Sequence, residues 1–237
     1  MNRKQFLKTS ALASAGILSR PFITYGKASK YRVALIGCGW WGTNILREAV
    51  ASGAVEVVAL CDVHEAQINS SAKELNSWCA DKPKRFKDFR DCIKNAKPDL
   101  VINATPDHWH ALIAIHALNN GCHVFLEKPI AHTLKEGTAI QKAARANNRI
   151  CIVDFHRRYS PHNVSGMEFL KSGKVGQIQE VRAFVNYSGS GGTQKPSEPK
   201  PADMDWDMYC GPAKLIDYHS SIHPRAWRRQ REFANGT

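Results

Sequence analysis

The sequence lacks any Cys-x-x-Cys pair, and its seven cysteines (38, 61, 79, 92, 122, 151 and 210) form an odd set without regular spacing. That argues against a disulfide framework or a zinc cluster. Cys38, Cys61, Cys122 and Cys151 fall in or beside expected strands, where a buried thiol packs as a small hydrophobe. No internal repeat is visible, which sets aside solenoids and propellers. The apolar stretch from Thr9 to Ser19 is too short to cross a bilayer as a helix, so no stable membrane span is expected. Residues 1–30 contain no acid, and Arg3, Lys4, Lys8, Arg20, Lys27 and Lys30 carry half of the net charge of +12. The remainder is mildly basic, compatible with anionic cofactors or substrates. No recognition motif accompanies the basic residues, so nucleic acid is not an expected partner.

What is present at the N-terminus reads as an export address: a basic start, small and apolar residues, then Gly26-Lys27-Ala28 as a small-x-small cleavage site. Asn2-Arg3-Lys4-Gln5-Phe6-Leu7-Lys8 resembles a twin-arginine signal with Lys4 in place of the second arginine. A periplasmic or otherwise exported protein is expected, with a cytoplasmic protein carrying a basic tail as the alternative. Residues 1–30 are therefore set apart from the fold.

From Tyr31 onward, short β-branched runs alternate with longer helix-period segments, the pattern of a parallel sheet with crossover helices. Strands are expected at 31–36, 55–61, near Arg85, and at 100–104, 123–126 and 150–154. Helices are expected at 42–52, 65–79, 88–95, 109–120 and 134–147. Near-continuous apolar runs such as Val33-Ala34-Leu35-Ile36 fit strands covered on both faces. The reading is a doubly wound α/β domain over 31–158. After Tyr159 the rhythm changes to one helix (163–172), a Gly173–Gly176 turn and an alternating strand (178–187). Residues 189–201, rich in Gly, Pro, Ser and Lys, read as a loop or linker. A second, partial domain is assigned to 159–237.

Gly37-Cys38-Gly39-Trp40-Trp41-Gly42 follows the first expected strand and opens the first helix. Asp62 ends the next strand, twenty residues after Gly42. That context turns a common glycine pattern into a dinucleotide fingerprint. Gly37 permits the tight turn, Gly39 lets the backbone approach a pyrophosphate, and Gly42 lets the helix pack on the sheet. Helix N-terminal amides then face the phosphates. Asp62 accepts hydrogen bonds from the adenosine ribose hydroxyls, and its charge disfavours the extra phosphate of NADP, so NAD is the expected cofactor and NADP the lesser one. Trp40 and Trp41 either cover the cofactor or pack between domains. The alternative is a nucleotide-free glycine turn with Asp62 capping a helix.

Two further strand ends carry polar clusters. Ala104-Thr105-Pro106-Asp107-His108-Trp109-His110 lies at the switch-point edge of the sheet, where ligands bind. Asp107-His108-x-His110 has some metal-ligand character, but no third and fourth ligand is identifiable by spacing, so no metal is assigned. Asp107 is read as a helix cap, and His110 faces either cofactor or core. Glu127-Lys128-Pro129 ends the fifth strand. A lysine beside a nicotinamide serves as an acid/base when desolvation and nearby positive charge lower its pKa. The plain alternative is a surface turn.

Together, Gly-Cys-Gly-Trp-Trp-Gly, Ala-Thr-Pro-Asp-His-Trp-His and Glu127-Lys128-Pro129-Ile130-Ala131 resemble the ordered motifs of the Gfo/Idh/MocA family (glucose–fructose oxidoreductase, inositol dehydrogenase and rhizopine catabolism). The resemblance implies a Rossmann domain followed by an α+β open-sheet substrate domain, of which this chain holds an incomplete start. It implies Lys128 as the catalytic residue, assisting proton transfer from a sugar or polyol hydroxyl while hydride moves to the nicotinamide. Ala104, Thr105, Pro106, His110 and Glu127 would line the cofactor. His156-Arg157-Arg158-Tyr159 resembles the crossing into the substrate site, able to bind sugar hydroxyls or a carboxylate. Trp206–Pro212 and His223–Arg229 resemble segments of a twin-arginine-exported branch, and the arginine cluster within them is read as a solvated or interface face. The family's Asp-x-x-x-His motif would be expected just beyond Gly236-Thr237, so the chain is expected to be C-terminally truncated, with a homo-oligomer expected of the full-length form. An NAD-dependent glycosidase of the same family and a non-catalytic nucleotide-binding fragment are the competing readings.

Overall fold

The computed structural model describes residues 30–184, 196–224 and 226–236. The expected export segment, apart from Lys30, and residues 185–187 of the expected seventh strand lie outside them. Six strands form one parallel sheet: β1 (Tyr31–Ile36), β2 (Val55–Cys61), β3 (Lys84–Phe86), β4 (Leu100–Asn103), β5 (His123–Glu127) and β6 (Cys151–Asp154). Their order is β3-β2-β1-β4-β5-β6, and every pairing is parallel. This is the doubly wound Rossmann arrangement, with its switch point between β1 and β4.

Strand composition explains the two-sided burial. Along β1, Ala34 and Ile36 point into one core layer, while Val33 and Leu35 point into the other. The first layer is closed by α3 (Phe89–Ala96), α4 (Asp107–Asn119) and α5 (Leu134–Ala146), the second by α1 (Trp40–Ala51) and α2 (Glu65–Trp78). Helix starts follow local chemistry. Asp88 caps α3 by accepting the Arg90 amide at 2.8 Å. Thr133 and Glu136 form a reciprocal capping box at the start of α5. Asp107 does not cap α4: Pro106 holds the cap position without a side-chain bond, and Asp107 is the first helical residue.

A 3₁₀ turn (His156–Tyr159) and α6 (Pro161–Lys171) follow β6, and no residue of α6 is buried. Residues 178–184 form no strand, and Val181 and Phe184 are 81% and 79% exposed. Their alternation has no partner strand among the described residues, so extended backbone there has no ladder to join. Residues 201–224 and 226–236 instead fold back over the sheet. Met204, Trp206, Tyr209, Cys210, Ile222, Trp227 and Phe233 make a third apolar cluster, packed against Val63. Backbone bonds stitch it down: Glu65 N–H to Asp203 O (3.1 Å), Asp205 N–H to Val63 O (2.9 Å) and His108 N–H to Phe233 O (3.2 Å). The short helix α7 (Trp206–Cys210) ends at Gly211, φ +50°, lying against the Trp109 ring. A Cβ there would collide with the indole. No helix among the described residues is long and apolar enough to cross a membrane.

Candidate functional site

Because all strands run parallel, their carboxyl ends open on one edge, and the sequence-predicted motifs converge there in a cleft of about 980 Å³. Gly37, Gly39, Trp40, Trp41, Gly42, Asp62, Ala104, Thr105, Pro106, Glu127, Lys128 and His156 all line it. The glycine roles are separable. Gly37 has φ +92°, and a Cβ on it would stand 2.7 Å from the Ala104 carbonyl, so the turn lies directly on the β4–α4 loop. A Cβ on Gly42 would meet the Gly37 carbonyl oxygen. Beyond its chain neighbours, Gly39 has no protein atom within 4 Å of its Cβ position, and it faces the cleft. The fold therefore demands glycine at 37 and 42, whereas at 39 the space belongs to the cleft, as a dinucleotide pyrophosphate requires. α1 begins at Trp40, so its free amides start there.

Asp62 serves the turn before any ligand. Its Oδ2 accepts the Cys38 amide at 2.8 Å and its Oδ1 accepts the His64 amide at 2.9 Å. Burial pushes its pKa up, against those two bonds. Each oxygen keeps a second lone pair for a ribose hydroxyl. Trp41 lies 5.1 Å, ring to ring, from His156, joining the glycine loop to the end of β6, while Trp40 is 66% exposed.

At the other end of the cleft, Lys128 is exposed, and two carboxyl groups beside it are buried. Glu127 is 4% exposed and pairs in register with the buried Asp154 on β6. Burial raises the Glu127 pKa to about 7, with Lys128 opposing and Asp154 reinforcing the rise. Burial also raises Asp154, with His156 and Lys128 opposing. Glu127, Asp154 and His156 bring one ligand-type atom each within 4.8 Å of one another, a group unseen in the sequence because β5–β6 register creates it. Lys128 lies beside both carboxyls and opposes the rise of each. Asp107 is raised to about 6 by burial, held back by Arg228 and Lys128.

Several predicted residues lie elsewhere. His110 is fully buried behind the cleft wall, with Nδ1 2.7 Å from Pro129 O and Nε2 2.9 Å from Thr105 O. It ties the two motif loops together and does not line the cleft. Both ring nitrogens of His108 face the Tyr209 and Phe233 carbonyls, so the Asp107-His108-x-His110 cluster offers no free imidazole for a metal. Arg157, Arg158 and Tyr159 are exposed and do not line the cleft, and Arg158 sits over the Phe155 ring at 5.4 Å.

The opposite wall was missed by sequence reasoning. Met208, Tyr209, His223, Trp227, Arg228 and Asn235 line it. Arg228, read from sequence as part of a solvated or interface face, stacks 4.1 Å from the Trp227 ring and adds positive charge beside Asp107. Arg225 lies outside the described residues. The density of aromatic residues between Trp206 and Trp227 was the available signal.

Comparison with known proteins agrees with this geometry. The Gfo/Idh/MocA family model, described as an oxidoreductase family with an NAD-binding Rossmann fold, matches residues 31–155. Curated relatives include a glycosyl hydrolase family 109 protein of Shewanella pealeana, 25% identical over 202 residues that cover 75% of this chain and 44% of the relative. An alpha-N-acetylgalactosaminidase of Shewanella oneidensis is 24% identical over 203 residues, covering 75% and 44%. The chain thus spans about half the length of these relatives. Among solved structures, scyllo-inositol dehydrogenase of Lactobacillus casei with bound NAD(H) and scyllo-inositol aligns with TM-score 0.56 at 26% identity, over 63% of this chain and 43% of the other. The WlbA dehydrogenase of Bordetella pertussis in complex with NADH and UDP-GlcNAcA aligns with TM-score 0.56 at 25% identity, over 63% and 44%. With the glycine turn, Asp62 and the strand-end lysine converging on one cleft, the chain belongs to the Gfo/Idh/MocA oxidoreductase family and carries its NAD-binding Rossmann domain.

Proposed function

We propose that the protein moves hydride between a carbinol carbon of a sugar or polyol and NAD, with Lys128 handling the hydroxyl proton. The observation carrying this reading is that Lys128 opens onto the same cleft as the glycine turn and Asp62. Bound NAD supplies the hydride acceptor. Gly39 and the α1 amides receive the pyrophosphate, Asp62 receives the ribose, and Thr105 and Pro106 flank the cofactor between them. Lys128 Nζ, as the neutral amine, takes the proton from the carbinol as hydride leaves, and the ammonium so formed returns it in the reverse direction. Glu127 and Asp154 stand beside Lys128, where a carboxylate attracts the ammonium that this transfer forms, and Trp227 with Arg228 lines the opposite wall. His156 is the residue of the 156–159 segment best placed to meet substrate. Composition of residues 1–30 supports export by a twin-arginine-like route.

The names of the curated relatives favour a second reading, a glycosidase in which transient oxidation at the same site precedes loss of the glycosidic leaving group. The two readings separate in one pair of assays. Net NADH formation with inositols supports the dehydrogenase. Release of nitrophenol from an aryl N-acetylgalactosaminide without net NADH supports the glycosidase. In either case Lys128→Ala is expected to lower turnover by about 10²- to 10⁴-fold with NAD binding retained. Unchanged turnover would remove the role assigned to Lys128.

A further inference from the structure

At the Asp62 end of the cleft, the C-terminal segment brings in two polar atoms that have no hydrogen-bond partner among the described residues: His223 Nδ1 and Tyr209 Oη, both buried. Tyr209 is 5% exposed, stacked on Trp206 at 4.8 Å and edge-on to His223 at 5.2 Å. Leaving such atoms unpaired in the interior is costly, so a site that holds them open invites a ligand to fill them.

A hydrogen-bond chain sets what His223 offers. His64 Nε2 lies 3.3 Å from Asp203 Oδ1, and His64 Nδ1 lies 2.9 Å from His223 Nε2. Asp203 is itself anchored, its Oδ2 accepting the Ala66 amide at 3.0 Å. A carboxylate only accepts, so a neutral His64 places its proton on Nε2 and leaves Nδ1 as an acceptor. His223 must then donate through Nε2, and its Nδ1 is a bare lone pair. Burial holds His223 neutral, lowering its pKa to about 4. The same His64 donates its backbone amide to Asp62. Asp62 and His223 are therefore linked through one residue and present acceptors to one end of one cleft.

We propose that His223 and Tyr209 complete the adenosine-binding half of the NAD site, His223 Nδ1 accepting a hydrogen bond from the adenosine and Tyr209 Oη bonding beside it. The choice of NAD over NADP is then made by two acceptors, Asp62 and His223, brought from opposite ends of the chain. A ribose hydroxyl or the adenine amino group donates to them, whereas a 2′-phosphate meets a carboxylate and a lone pair. The inference rests on the reading that NAD lies with its adenosine at Asp62.

The test is calorimetric binding of ADP-ribose, which carries the adenosine half without nicotinamide, and of its 2′-phosphate, to the full chain. His223→Gln keeps a polar atom toward His64 but removes the Nδ1 acceptor. His223→Asn returns an oxygen near the Nδ1 position. Tyr209→Phe deletes one oxygen and leaves the ring packing intact. ADP-ribose affinity is expected to fall about tenfold in His223→Gln and about fivefold in Tyr209→Phe, with substantial recovery in His223→Asn. The preference over the 2′-phosphate should fall with it in His223→Gln. Binding within about twofold of the parent in both His223→Gln and Tyr209→Phe overturns the proposal. A tenfold loss in Asp62→Asn alongside that result would show the NAD reading surviving it. Failure of the parent to bind ADP-ribose would overturn both.

Discussion

Two alanine substitutions three residues apart should have opposite effects, because one glycine answers to the fold and the other to the cofactor. At Gly39 the backbone is φ −65°, ψ 173°, open to any residue, and beyond its chain neighbours no protein atom lies within 4 Å of the Cβ position. Gly39→Ala should change stability by no more than about 0.5 kcal/mol. At Gly42 the Cβ would collide with the Gly37 carbonyl oxygen and stand 3.0 Å from Ala104 Cβ. Overpacking of about 1–3 kcal/mol or more exceeds the roughly 1 kcal/mol of helix propensity that alanine brings. A net loss of about 2 kcal/mol corresponds to a melting temperature lower by about 4–8 °C. For NAD the order reverses. A methyl group on Gly39 keeps the pyrophosphate from the turn amides, and losing one charge-assisted bond of about 1.5–3 kcal/mol weakens binding about 10- to 150-fold. Thermal unfolding by circular dichroism and NAD titration by calorimetry read the two effects separately. If Gly39→Ala bound NAD within about twofold of the parent at unchanged stability, the pyrophosphate would not lie over this turn, and the site assignment would fail.

The buried carboxyl at Glu127 makes a pH prediction with a definite sign. Its folded-state pKa, about 7, exceeds its unfolded value of about 4.5, so its contribution to stability is present below pH 4.5 and is lost as pH rises through 7. The window is worth about 3 kcal/mol at most, and Glu127→Gln should flatten the fall in melting temperature between those pH values; a parallel slope in the variant would refute the burial argument. Gly211→Ala should release the folded-back segment, since its Cβ would strike the Trp109 ring from a backbone at φ +50°. Trypsin should then cut at Arg228 and Arg229 well before the Rossmann core unfolds, and equal cleavage in parent and variant would count against that anchoring.

The sequence by itself determined the sheet and one wall of the cleft. Alternation in Val33–Ile36, the glycine spacing and the acid at Asp62 are local signals, each tied to a strand end whose position follows from chain order. Parallel topology then carries Gly37, Thr105, Lys128 and His156 to one edge without further information. Contacts between distant segments had no such signal. His110 looked equally suited to cofactor or core, and only the approach of the Thr105 and Pro129 carbonyls assigned it to the core. The strand expected at 178–187 had the right alternation, but a strand needs a partner, and over 178–184 the described chain provides none. Arg228, Tyr209 and His223 reach the cleft because an apolar cluster around Trp206 and Phe233 docks on Val63 and Trp109. That docking depends on shape complementarity across more than a hundred residues of chain, which hydrophobic periodicity does not encode. The tertiary structure therefore decided the second wall, the carboxyl pair beside Lys128 and the contact of His64 with His223 beside Asp62.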